Sequence, residues 1–339
     1  MTVRGGGEGT SLVLPFEGML EPTPLKTAPR YPVTVLTAAL SIAATSAWWL
    51  GQKPERLLMD GRVWSEWQLW RSLTCTLLHV NVFHLGFNLY WFWIFGTVLE
   101  RVYGHARVLL IFLLLASGSS LFDFALTHGG VGLSGVVYGL WAMVWVLERH
   151  DVRFEKAVDA KTTQLFVGWF FMCIGLTIVD VMPVANVAHA VGAGLGALLG
   201  WVVVNRGIVR WCYAAALFIA MAAGTFGSTF GWPWVNLTDA AQLAVERFAE
   251  MALDQGKSHR AVELLEKAVR MRRASARPWY NLGVAYYRLN RYNDAVRAFE
   301  SAARFPDATD DMKKTASEMR AFIRIMADTD DIPAKDRSD

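Results

Sequence analysis

The chain has 339 residues, of which 54% are hydrophobic and only 19% charged, with 15 Trp and 19 Phe. That balance excludes an ordinary soluble enzyme and points to a protein that crosses the membrane several times. A net charge of +3 is too small to argue for nucleic acid as a partner, so the basic residues matter for where they stand rather than for their sum.

Residues 1–30 are rich in Gly, Pro and Thr without periodicity, and a flexible cytosolic tail is expected there. No basic stretch leads directly into a hydrophobic run and cleavage site, so no removable signal peptide is expected. Apolar runs follow at about 33–50, 80–99, 107–126, 133–147, 164–182, 186–204 and 209–230. Each approaches the ~20 residues that cross ~30 Å of hydrocarbon as helix, which predicts seven spans. The connection Gly51–Leu78 is long and carries Trp64, Trp67 and Trp70. It is too aromatic for a solvated linker and is expected to lie in the membrane interface.

The short loops alternate in charge. Arg101 and Arg107 follow the second run, Arg149, Arg153, Lys156 and Lys161 the fourth, and Arg206 and Arg210 the sixth. The loops after the third and fifth runs hold no Lys or Arg. The pattern predicts a cytosolic N-terminus and a non-cytosolic C-terminus. Cys75, Cys173 and Cys212 fall in or beside apolar runs with no metal-ligand spacing, and read as small buried hydrophobes.

Beyond Gly231-Trp232-Pro233 the chain becomes charged and helical in period. Trp279, Leu282, Gly283, Tyr286, Ala295, Phe299 and Ala302 occupy positions of the tetratricopeptide pattern. One period earlier, Ala261, Leu265 and Ala268 repeat the small-large-small order, behind a degenerate first helix with Phe248, Ala249 and Ala252. A last helix over about 310–326 would close the array.

Gly132-Leu133-Ser134-Gly135 opens the fourth run, with Tyr138 one turn later. His84 and Asn88 stand four residues apart on the second run, and His189 begins the sixth. Taken singly, each has a bland reading: a serine bonded to its own helix, a histidine or an asparagine bridging helices. The predicted topology brings all of them to one depth near the outer face, and polar groups inside a membrane are costly and usually functional. A serine hydroxyl needs a base, which neutral imidazole supplies near pH 7. The oxyanion formed on attack needs donors, for which Asn88, His84 and the Ser134 N–H are candidates. No acidic residue stands obviously beside His189, so a Ser134–His189 dyad is expected. Gly192, Gly196 and Gly200 on the sixth run, and Gly135 and Gly139 on the fourth, supply faces that allow close helix approach.

In these residues the chain resembles the rhomboid intramembrane serine proteases over about 33–204. Gly132-Leu133-Ser134-Gly135 is similar to the motif around the family's nucleophile. Ala188-His189-Ala190-Val191-Gly192, continuing to Gly196, resembles that around its base, and the stretch from His79 through His84 to Asn88 resembles its oxyanion segment. Trp70-Arg71 resembles a structural pair in the first loop, and Tyr138 an aromatic that packs beside the base. The resemblance implies an all-α, polytopic bundle with a six-helix core over 31–206. To this the chain adds a seventh helix (207–232), a repeat domain (239–326) and a disordered tail (327–339). It also implies cleavage of other proteins' transmembrane segments near their outer ends, with no metal or organic cofactor. The protein is expected in a bacterial inner membrane, with the lipid bilayer around it and the repeat domain on the non-cytosolic side, where it either captures a substrate or partner peptide or serves as a spacer or assembly module. The rival readings are a catalytically silent chaperone or scaffold working through the repeats, and a polar-lined transporter. The transporter requires paired halves that the spans do not show.

Overall fold

The computed structural model describes residues 23–271 and 275–328, and no strand occurs among them. Of the expected tails, 1–30 and 327–339, residues 1–22 and 329–339 lie outside the described residues, and residues 327–328 end the last helix. The last part of the expected N-terminal tail forms a 3-10 helix, Leu25–Arg30. Just before it, Thr23 bonds to Thr97 Oγ1 at 2.8 Å, and its carbonyl accepts from Trp93 Nε1 at 2.8 Å.

Seven helices correspond to the apolar runs: α1 Pro32–Trp49, α2 Val82–Tyr103, α3 His105–Leu126, α4 Ser134–Glu148, α5 Ala160–Ile178, α6 Asn186–Val204 and α7 Gly207–Ser228. All but α4 are long and apolar enough to cross a membrane. In lipid only such helices keep their backbone groups satisfied within the segment. The helix α4 differs from the expected span: at 15 residues it is about 22 Å long, short of ~30 Å of hydrocarbon. Eleven of those residues are buried, which makes α4 the enclosed helix of the bundle. The fifth run is shifted from its expected place, since the Asp159 side chain caps the Thr162 N–H at 2.7 Å and starts the helix at Ala160.

The chain divides into two compact units. One comprises the described residues up to Leu57, with Ser72–Ser120 and Gly130–Met221. Its core is built from α2, α3 and α4, around Trp91, Phe95, Leu99, Leu115, Tyr138, Leu140 and Val144. Within it Glu100 of α2 caps α1 in place of a local side chain. Its carboxylate accepts from the Val33 and Thr34 N–H groups, both at 3.0 Å, from Thr34 Oγ1 at 2.6 Å and from His105 Nδ1 at 2.7 Å.

The other unit comprises Leu58–Arg71, Leu121–Gly129 and the chain from Ala222. It contains the helices α8 Ala240–Asp254, α9 Ser258–Ala268, α10 Ala276–Arg288, α11 Tyr292–Ala303 and α12 Asp310–Asp328. Ala261, Leu265, Ala268, Leu282, Ala295, Phe299 and Ala302 are all buried, as the repeat pattern requires. A Cβ on Gly283 would stand 2.7 Å from the Phe299 ring, so a glycine there lets α10 and α11 close.

Candidate active site

The nucleophile candidate begins a helix because the turn before it is held on two sides. Gly132 N–H donates to Cys75 O at 3.2 Å, and Leu133 N–H donates to His79 Nε2 at 3.3 Å. Gly132 has φ +110, a conformation that a side chain resists, and a Cβ there would stand 2.6 Å from His84 Cε1. Ser134 then opens α4, where its N–H belongs to the first turn and has no intrahelical acceptor.

His79 is oriented by its own bonds. Its Nε2 accepts from Leu133, so the proton sits on Nδ1, which faces Thr45 Oγ1 at 3.3 Å. Thr45 in turn donates to Leu77 O at 3.0 Å. His79 lies outside the spanning helices, and burial, assisted by the nearby His84, holds its pKa down to about 3. It is therefore a neutral structural strut rather than an acid.

Asn81 caps α2 by accepting from the His84 N–H at 2.9 Å, which fixes where the His84 ring emerges. That ring meets the His79 ring edge-on at 4.9 Å. Asn88 is buried one turn deeper and donates one amide hydrogen to His84 O at 2.9 Å. The asparagine side chain carries a second amide hydrogen.

His189 comes from α6, which packs on α4 backbone to backbone. A Cβ on Gly192 would collide with Gly135 O, and one on Gly196 with Gly139 O. Gly135 itself abuts Ser119 Oγ, at 2.6 Å from an added Cβ, and Ala188 O, at 3.2 Å. Along this seam the His189 ring stacks on Tyr138, with centroids 4.6 Å apart and planes at 23°. Tyr138 donates its hydroxyl to Phe166 O at 3.1 Å, which holds its ring from the far side. Among the described residues, no hydrogen bond joins Ser134 to His189, and His189 Nδ1 is buried without a partner.

The structure thus brings Gly132, Ser134, Gly135, Tyr138, His79, His84, His189, Gly192 and Gly196 into one linked set, with Asn88 one helical turn from His84. Trp70 and Arg71 belong to the other unit. Arg71 is buried, donates to Leu58 O at 2.6 Å and to Gln68 Oε1 at 2.5 Å, and lies over the Trp70 ring at 5.0 Å. Thr45, Cys75 and Ser119 escape a reading of the sequence, because a threonine, a carbonyl and a serine in apolar helices carry no periodic signal. Asn81 was legible as the cap of an apolar run.

Helices of this length and composition around an enclosed polar set define an integral, multi-pass membrane protein, here with a helical repeat region attached. Residues 66–206 match the Rhomboid domain family, and residues 246–310 match the Tetratricopeptide repeat family. The chain is thus similar to rhomboid domains over its membrane-spanning part and to tetratricopeptide repeats over the region that follows. It is 25% identical over 256 residues to "Rhomboid protease GluP" of Bacillus subtilis, an alignment covering 75% of this chain and 48% of that protein. It is 34% identical over 146 residues to "Rhomboid protease GlpG" of Pectobacterium atrosepticum, covering 41% of this chain and 50% of that one. The GlpG of Yersinia pseudotuberculosis is 33% identical over 142 residues, at 40% and 48% coverage. The chain spans about half the length of these curated relatives.

Proposed function

We propose that this protein is an intramembrane serine endopeptidase. In this reading Ser134 Oγ attacks the scissile carbonyl while His189 takes its proton, then returns it to the leaving amine before water releases the acyl group. The Ser134 N–H, the second amide hydrogen of Asn88 and the His84 ring stabilise the oxyanion. The observation that carries this reading is the glycine seam. It sets α6 against α4 so that His189 stacks on Tyr138, one turn from Ser134. In this reading hydroxyl and imidazole come together by side-chain rotation, since such bonds commonly tighten only with substrate bound. That the similar proteins of Bacillus subtilis and Pectobacterium atrosepticum are rhomboid proteases supports a protease rather than a silent scaffold.

Its substrates are transmembrane segments of other proteins, cut near the outer membrane face, with the N-terminus cytosolic and the repeats non-cytosolic. The charge alternation of the short loops supports that orientation. The repeat region serves as an interaction module on the same side, since stacked helix pairs present extended binding surfaces. The test is a fluorophosphonate probe applied to the membrane-extracted protein. Wild type is labelled, and Ser134→Ala and His189→Ala are not. Labelling that survives in Ser134→Ala removes Ser134 as the nucleophile.

A further inference from the structure

The segment Leu58–Arg71 is closed on itself and seated on the repeat helices. Its two ends are fastened together by Arg71, which donates to Leu58 O, while the Asp60 carboxylate holds the Arg62 guanidinium at 3.0 Å. Between them a short helix, Arg62–Ser65, packs the half-buried Trp64 against the hydrophobic core of the repeats. The Trp64 ring lies 5.4 Å from Lys267 Nζ of α9, and 6.3 Å from the ring of Trp232. Trp232 is itself stacked on Phe124 at 4.6 Å and bonded to Phe124 O at 3.0 Å.

Gly61 completes the seat. A Cβ there would strike the Phe248 ring of α8, with Cζ at 3.1 Å and Ala244 Cβ at 3.2 Å. Its φ of −55 is open to any residue, so glycine is needed there for space and not for conformation. The degenerate first helix of the array therefore has an occupant within its own chain.

The chain runs on from Arg71 into the residues that hold the turn before Ser134. Four residues later Cys75 O takes the Gly132 N–H, and four beyond that His79 takes the Leu133 N–H. We propose that Trp64 and Gly61 are positioning residues: their docking on α8 and α9 keeps the Cys75 and His79 acceptors in register with the turn that presents Ser134. Only the consequence for catalysis rests on the protease reading. The consequence for the turn does not.

The experiment uses the full-length protein with Gly61→Val, Phe248→Ala and the two combined. Hydrogen exchange at the Gly132 and Leu133 amides reports the turn, and the rate of fluorophosphonate labelling reports Ser134. In Gly61→Val, exchange at both amides rises and labelling slows, each by about tenfold or more, since small displacements near a reacting group cost that much. Adding Phe248→Ala makes room for the valine and brings both back toward wild type. Trp64→Ala behaves like Gly61→Val and Trp64→Phe does not, which decides the matter if the valine variant fails to fold. Unchanged exchange in both Gly61→Val and Trp64→Ala overturns the proposal, as does faster exchange that Phe248→Ala leaves uncorrected. A wild-type chain that resists the probe overturns the protease reading, and the exchange results still decide the positioning claim by the same criteria.

Discussion

The imidazole of His189 lies face to face with the phenol ring of Tyr138, 4.6 Å between centroids, and the phenol is anchored at its other end on Phe166 O. The proposed base is thus oriented by a ring from α4 rather than by a carboxylate. Tyr138→Leu removes the stacking surface and is expected to slow fluorophosphonate labelling about 10–100-fold. Tyr138→Phe keeps the ring and loses only the hydroxyl bond. It should cost about 0.5–1.5 kcal/mol of stability, with a much smaller loss of labelling. Labelling rates and thermal unfolding in detergent separate the two effects.

The seam between α4 and α6 gives a prediction that turns on single methyl groups. Gly192→Ala and Gly196→Ala place a Cβ against the Gly135 and Gly139 carbonyls, where backbone cannot yield. Each should destabilise by at least about 1–3 kcal/mol and abolish most labelling. Gly194→Ala on the same helix meets nothing within 4 Å and should be neutral or stabilising by roughly 0.5–1 kcal/mol. Thermal unfolding of the three variants checks the contrast.

The Glu100 carboxylate holds the start of α1 through the Val33 and Thr34 N–H groups and Thr34 Oγ1. Glu100→Gln leaves one oxygen and puts an amide donor where a donor already points. A loss of about 1.5–3 kcal/mol is expected, because hydrogen bonds to a charged acceptor are the strong ones. Denaturant unfolding in micelles measures it, and proteolysis near Pro32 should become faster in the variant.

His79 predicts the pH response of the turn before Ser134. Its folded pKa of about 3 lies below the ordinary value of 6.5, so the folded state binds the proton less readily than the unfolded one. Stability from this group is fully present above about 6.5 and is lost as pH falls from there toward 3. His79→Gln, which cannot titrate, should flatten that slope. Unfolding midpoints at several pH values between 4 and 7 read it directly, and equal slopes in the two proteins would exclude His79 as the group responsible.

How much of this was legible beforehand depends on the range of the interaction. The apolar runs, the repeat positions from Trp279 to Ala302, and the GxSG turn all follow from local pattern. The lipid demands helices of a given length, and a repeat demands small residues at fixed offsets. The extent of α4 was legible as well, since the run at about 133–147 and the helix Ser134–Glu148 nearly coincide. What holds the turn before it was not, because its acceptors are on Cys75 and His79, more than fifty residues earlier. The same holds for Thr45 behind His79, for Glu100 at the start of α1, and for Trp64 against the repeat core. Hydrophobic period and glycine spacing are properties of neighbours along the chain, so residue order alone determined the helices, the repeat and the residue types able to do the chemistry. Which carbonyl meets which N–H, and which ring lies on which imidazole, depends on helices distant in sequence. Only the tertiary structure decided those.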